Sequence, residues 1–188
     1  MRTALLIIDI QNDYFPGGKM ELVDSTEAAS NAGVLLRKCR ELNLPIIHIQ
    51  HISVRSNATF FLPGTEGVEI HQSVKPVEGE TIIRKNYPNS FRDTPLLEKL
   101  NELQIKKLIV CGMMTHMCID ATVRAAFDNG FSCVVAGDAC ATKSLDYDGY
   151  LIKSAFVQSA FLAALASVYA KVSGVQEIIS YLEKKNNL

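Results

Sequence analysis

The run Lys107-Leu108-Ile109-Val110-Cys111-Gly112-Met113-Met114-Thr115-His116-Met117-Cys118 decides how this chain is read. Lys107 to Cys111 is a short apolar run of strand length, and the residues from Thr115 to Asn129 carry a helical pattern. A strand that passes so directly into a helix sets Cys118 at the helix N-terminus. There the macrodipole and the unpaired backbone N–H groups favour a thiolate, and the same N–H groups can bind a developing oxyanion. Cys118 is therefore a candidate nucleophile. The bland alternative is a buried structural cysteine.

Two other apolar runs end in charge. Ala4-Leu5-Leu6-Ile7-Ile8 stops at Asp9, and Thr81-Ile82-Ile83-Arg84 leads into Lys85. In an open parallel α/β sheet, ligands bind outside the carboxyl ends of the strands, so Asp9, Lys85 and Cys118 can converge on one crevice. Together they make coherent chemistry: a thiolate attacks a carbonyl carbon, an ammonium lowers the thiol pKa, and a carboxylate takes the thiol proton and returns it to the leaving group. Taken singly, Asp9 also reads as a loop cap and Lys85 as a solvated residue at a strand end.

Working outward, the pattern alternates strand and helix along the whole length. Strands are expected at Ala4 to Asp9, Pro45 to His51, Thr81 to Lys85, Lys107 to Cys111, Ser132 to Ala136 and Ser167 to Val172. Helices are expected at Ser25 to Asn43, Pro95 to Gln104, Thr115 to Asn129, Tyr147 to Leu165 and Gly174 to Lys184. Continuous apolar runs between amphipathic helices mean a parallel sheet covered on both faces. The fold class is therefore α/β, a doubly wound three-layer α/β/α domain on a six-stranded, mainly parallel sheet, with residues 1–188 forming one domain. Asp24 or Ser25 before the first helix with Glu27 in its first turn, Pro95, and Asn129-Gly130 punctuate the boundaries. The segment from Ile52 to Glu80 lacks periodicity and holds Pro63-Gly64, Gly67 and Gly79. A loop this long is often functional, and it reads as closing over the site or meeting a neighbouring subunit.

Four stretches resemble the isochorismatase-like cysteine hydrolases, a family that includes nicotinamidases, N-carbamoylsarcosine amidohydrolases, ureidoacrylate and biuret hydrolases, and streptothricin hydrolase. They are Leu6-Ile7-Ile8-Asp9-Ile10-Gln11-Asn12-Asp13-Tyr14-Phe15, Lys85 with Asn89-Ser90-Phe91-Arg92-Asp93-Thr94, Gly112 to Cys118, and Asp138-Ala139-Cys140-Ala141-Thr142. The resemblance covers nearly the whole chain. It implies that Asp9, Lys85 and Cys118 are the triad, that the Met113–Met114 peptide is cis, and that the N–H groups of Met114 and Cys118 form the oxyanion hole. By the same analogy Phe15, Tyr87, Asn89, Phe91 and Thr115 lie against the substrate, although each also reads as a packing or turn residue. Relatives that cleave the vinyl ether of isochorismate lack the cysteine, so Cys118 favours acyl transfer. The implied activity is hydrolysis of a C–N bond in a small amide, ureide or carbamoyl compound. The alternatives are isochorismatase-type ether hydrolysis and a non-catalytic small-molecule binding protein with the same crevice. A homo-oligomer, dimer or tetramer, is also implied.

Composition narrows the partners. A net charge of -1 and a pI near 6.4 offer no field for nucleic acid. The longest apolar tract, Ala155 to Ala170, is broken by Gln158, Ser159 and Ser167 and is shorter than the ~20 residues a spanning helix needs. It reads as a buried helix leading into a strand, so no membrane association is expected. Met1-Arg2-Thr3 runs straight into a strand with no export pattern, which suggests a cytoplasmic protein. Five cysteines, none at CxxC spacing, argue against a disulfide framework or a zinc ribbon. Cys111 and Cys133 read as core, whereas Cys140 follows a strand end and can line the crevice. The stretch His48-Ile49-Gln50-His51-Ile52-Ser53 lacks the Asp-x-His of nicotinamidases, and on a strand His48 and His51 point to opposite faces. With His71 and His116 they read as polar or supporting residues, so no metal is expected. Gly17-Gly18-Lys19 is a turn and not a phosphate loop, and no GxGxxG follows the first strand, so no cofactor is expected.

Overall fold

The computed structural model describes residues 2–186. In chain order these form β1 (Arg2–Ile8), α1 (Ser25–Glu41), β2 (Ile46–His51), β3 (Thr81–Lys85), α2 (Leu96–Glu102), β4 (Ile105–Met113), a π turn (Thr115–Ile119), α3 (Asp120–Asp128), β5 (Ser132–Ala141), β6 (Leu145–Tyr147), β7 (Tyr150–Ile152), α4 (Ser154–Val168), β8 (Ala170–Ser173) and α5 (Val175–Asn186). The central sheet has six parallel strands in the order β3-β2-β1-β4-β5-β8. The chain winds outward from β1 through β2 to β3, then returns to place β4 on the other side of β1. The switch point therefore lies between the carboxyl ends of β1 and β4, where an open sheet leaves a crevice.

Alternation along the strands feeds two cores. Leu5, Ile7, Ile109, Cys111 and Val134 face α1 and α5, whereas Ala4, Leu6, Ile8, Leu108, Val110 and Val135 face α2, α3 and α4. Gly112 is where β4 comes closest to β1. Its φ is 133°, and a Cβ there would fall on the Ile8 carbonyl, so only glycine permits this approach.

Two expectations are corrected. The helix expected from Tyr147 starts at Ser154, because residues 145–152 form the β6–β7 hairpin around Asp148-Gly149, both at positive φ. The Ala155 to Ala170 tract is not buried either: only Val157 and Leu165 of α4 are buried, and Phe156 is 68% exposed.

The 52–80 segment folds back over its own chain. Phe61 packs edge-on against Tyr14 at 4.6 Å, and Ile70 bridges to Gln11. Its far end is anchored by Glu80, whose carboxylate takes both Arg40 Nε (2.7 Å) and Nη2 (2.9 Å), the Val77 N–H (3.0 Å) and His48 Nε2 (2.9 Å). Burial works against the Glu80 charge, but Arg40, the Val77 amide and His48 outweigh it and hold the carboxyl at about 2. Burial also lowers the pKa of His48, against the pull of Glu80, and burial lowers His51, His71 and His116. Below their ordinary value of 6.5 the unfolded chain takes up protons that the folded chain refuses, so stability falls as pH falls. The Glu80 contribution has the same sign: it is present above 4.5 and is lost as pH falls toward about 2. Calorimetry should therefore show a melting temperature that declines steadily below pH 6.5, and Glu80→Gln should flatten the part of the decline below 4.5.

Candidate active site

Four strand ends meet at the switch point. Asp9 follows β1, His51 ends β2, Lys85 ends β3, and Cys118 sits in the π turn after β4. Asp9 takes a left-handed φ of 53°, uncommon outside glycine and tolerated by aspartate. Its carboxylate is fully buried, as is the Lys85 ammonium, and Lys85 Nζ lies 2.7 Å from Asp9 Oδ2. Lys85 Nζ also donates to the Pro88 carbonyl at 3.1 Å. Burial pulls the Lys85 pKa down, but Asp9 and Cys118 beside it more than restore it, and the ammonium is held charged above its ordinary range.

The Met113–Met114 peptide bond is cis, and the Met114 carbonyl accepts from the N–H groups of Met117 (3.0 Å) and Ile119 (3.3 Å). A π turn of this kind is a common device at functional sites. Cys118 does not favour the thiolate as its place in the first helical turn suggested. Burial pushes the thiol pKa up, Asp9 adds to that, and Lys85 only partly opposes both. The Cys118 side chain is therefore held toward the thiol form.

Cys118, an Asp9 oxygen and a His51 ring nitrogen lie within 4.8 Å of one another. His51 Nδ1 is 3.9 Å from Asp9 Oδ2. Burial lowers the His51 pKa, Asp9 opposes that, and Lys85 and Arg55 add to it, so the ring is neutral near pH 7. Three such groups are a possible ligand set for a cation, but the Lys85 ammonium already supplies positive charge to Asp9, and a divalent ion would meet it at short range. His51 was not singled out from sequence as a site residue. The available signal was its position as the last residue of β2.

The cavity above these groups has a volume of about 270 Å³ and is walled by Tyr14, Phe60, Phe61, Met114 and Met117, with Cys118 at its base. Phe61 is held at φ 56° by its N–H, which donates to Asp13 Oδ2 at 2.6 Å. Asp13 also accepts from the Lys19 N–H at 3.1 Å and so staples the long loop to the start of the chain. Gln11 does the same one turn earlier: its amide bonds the His51 carbonyl (2.9 Å), the His51 N–H (2.7 Å) and the Val68 carbonyl (2.7 Å).

The five residues assigned to the substrate by analogy each have a partner within the fold. Phe15 stacks on His71 with ring centroids 3.7 Å apart, Tyr87 lies 3.6 Å under the Arg92 guanidinium, and Asn89 Oδ1 accepts from the Phe91 N–H at 2.9 Å. Phe91 faces Phe131 across 6.2 Å, and the buried Thr115 hydroxyl donates to the Ala141 carbonyl at 3.2 Å. None of the five is among the residues that line the cavity. Cys140 lines a separate depression with Asp138 and Gln158, and burial pushes its thiol up to about 12. In the aromatic wall, Phe60 and Phe61 come from the loop, whose lack of periodicity hid them.

The isochorismatase domain matches residues 3–168 of the chain. The uncharacterized isochorismatase family protein YddQ of Bacillus subtilis is 52% identical, over 95% of this chain and 99% of its own length. Streptothricin hydrolase of Streptomyces noursei is 32% identical over 74% of this chain and 54% of its own. A crystal structure of an isochorismatase-type hydrolase from Oleispira antarctica superposes with a TM-score of 0.92 at 48% identity, over 95% of this chain and 96% of that one. By sequence along nearly its full length and by fold, the chain belongs to the isochorismatase family of hydrolases.

Proposed function

We propose that this chain is a cysteine amidohydrolase acting on the C–N bond of a small amide, ureide or carbamoyl compound. The observation that carries the reading is the buried Asp9–Lys85 pair, 2.7 Å apart, in contact with the Cys118 thiol at the base of an aromatic-walled cavity. The Cys118 sulfur attacks the carbonyl carbon while its proton passes to Asp9. The tetrahedral oxyanion rests on the Met114 and Cys118 N–H groups, and Lys85 compensates charge around the carboxylate throughout. The C–N bond breaks as Asp9 returns the proton to the departing nitrogen. Water then attacks the thioester, Asp9 takes its proton, and the acid and the free thiol are released. Streptothricin hydrolase and Nicotinamidase 3 of Arabidopsis thaliana, 31% identical over 74% of this chain, are relatives with names that fit this class.

Ammonia release from a panel of small amides, ureides and carbamoyl amino acids tests the reading, run beside Cys118→Ala. Release by the parent alone supports it. Pyruvate release from isochorismate, or a ligand bound for hours without product, would overturn it.

We also propose that the protein self-associates through α4 and the β6–β7 hairpin. The fifteen residues of α4 include no charged side chain, yet Phe156 and Val168 are exposed, and Tyr150 on the hairpin is 75% exposed. An uncharged apolar face of this kind is rare on a monomer, and a two-fold axis would bury it against the same face of a second copy. Sedimentation should show a dimer or tetramer that Phe156→Glu shifts toward monomer. A parent that is monomeric at micromolar concentration would contradict it.

A further inference from the structure

The cavity over Cys118 is lined by fifteen residues, and Arg55 is the one that carries a full charge. The Arg55 guanidinium is exposed, and among the described residues no carboxylate pairs with it. By contrast Arg40 pairs with Glu80, Arg92 with Asp93 and Arg124 with Asp120. Nor is Arg55 on a loose strand. The Ala58 N–H donates to the Arg55 carbonyl at 3.1 Å, closing a turn, and the Ser53 N–H donates to the Phe61 carbonyl at 2.9 Å, closing the loop that carries the turn. The base of this loop is tied to β3, because the Ile52 N–H donates to the Lys85 carbonyl at 2.8 Å and Asn86 Nδ2 to the Ile52 carbonyl at 2.8 Å. The backbone that carries Arg55 is thus tied down at the wall of the cavity over Cys118, and no acid is among the residues that line that cavity.

We infer that Arg55 is a specificity residue that selects substrates bearing a carboxylate at the end remote from the scissile C–N bond. This rests on the amidohydrolase reading of the same cavity. An arginine fork receives a carboxylate in a bidentate pair, and Asn57, Thr59 and Ser53 on the same loop add neutral polar groups beside it. The aromatic wall of Tyr14, Phe60 and Phe61 suits a short apolar body between the two ends. At about 270 Å³ the cavity is at the small end of ligand sites, which limits the substrate to a compact molecule such as an N-carbamoyl or N-acyl derivative of a small amino acid.

The test uses two alkylating reagents of nearly equal size. Iodoacetate carries a carboxylate and iodoacetamide does not, and each would modify Cys118 by displacement of iodide. Second-order rates at Cys118, assigned by peptide mass spectrometry, are compared in the parent, Arg55→Met, Arg55→Lys and the control Arg37→Met on α1. The iodoacetate-to-iodoacetamide rate ratio should fall by roughly tenfold or more in Arg55→Met, remain partly preserved in Arg55→Lys, and decline in the parent as salt is raised. On turnover, the same Arg55→Met change should raise KM for an N-carbamoyl amino acid far more than for its methyl ester. An unchanged rate ratio in Arg55→Met, or an equal fall in Arg37→Met, would overturn the assignment of Arg55 while leaving the amidohydrolase reading intact. Failure of Cys118 to react with either reagent, with KM for the N-carbamoyl amino acid and for its ester raised equally in Arg55→Met, would likewise overturn the carboxylate site, while ammonia release by the parent decides the amidohydrolase reading separately.

Discussion

Cys118→Ala is expected to reduce amide turnover by at least about 10⁴-fold while the protein melts within a few degrees of the parent. The large catalytic effect follows from covalent catalysis: without the sulfur no thioester forms, and Asp9 and Lys85 have only water to work with. The small structural effect follows from what the thiol does in the resting site. It is buried, its proton is retained because burial and Asp9 disfavour the thiolate, and the Asp9–Lys85 pair beside it stays intact when the sulfur is removed. The measurement is steady-state ammonia release paired with calorimetry. A variant that retains near-parental turnover would remove Cys118 from the mechanism.

The second large effect concerns the buried ion pair. Lys85→Met should abolish activity and also destabilise the fold by about 3–5 kcal/mol, because it leaves a fully buried carboxylate without a countercharge. For a chain of this size that is roughly a 6–20 °C drop in melting temperature. Asp9→Asn added to Lys85→Met should recover much of the stability and none of the activity, because it removes the orphaned charge without restoring a base. This reversal separates a charged, mutually dependent pair from two residues that merely pack together. If Lys85→Met melts with the parent, the pair is not the buried ionic unit described above.

Much of the frame was legible because period and apolar run length survive in the sequence. All six sheet strands lie within a few residues of their expected places, and the rule that ligands bind at strand ends brought Asp9, Lys85 and Cys118 together before any coordinates. What was missed has specific causes. Asp148-Gly149 between Tyr147 and Tyr150 is a two-residue hairpin signal, and it was absorbed into the adjoining apolar helix. The exposure of α4 could not be read from its composition, since an apolar tract looks the same whether its own chain or another copy covers it. The cavity wall escaped because Phe60, Phe61 and Arg55 lie in a segment without periodicity, and their positions depend on long-range ties to Asp13, Gln11 and Lys85. The resting thiol was misread for a related reason. A helix N-terminus is visible in sequence, but the depth of burial that opposes it is not.

The most direct test of covalent catalysis by Cys118 is the intact mass of enzyme quenched in acid during turnover of the best amide in the panel. The mechanism predicts a mass increase equal to the substrate's acyl group, localised to the peptide that contains Cys118 and absent from Cys118→Ala. Ammonia released in steady state with no covalent adduct at any quench time, and with Cys118→Ala equally active, would contradict it.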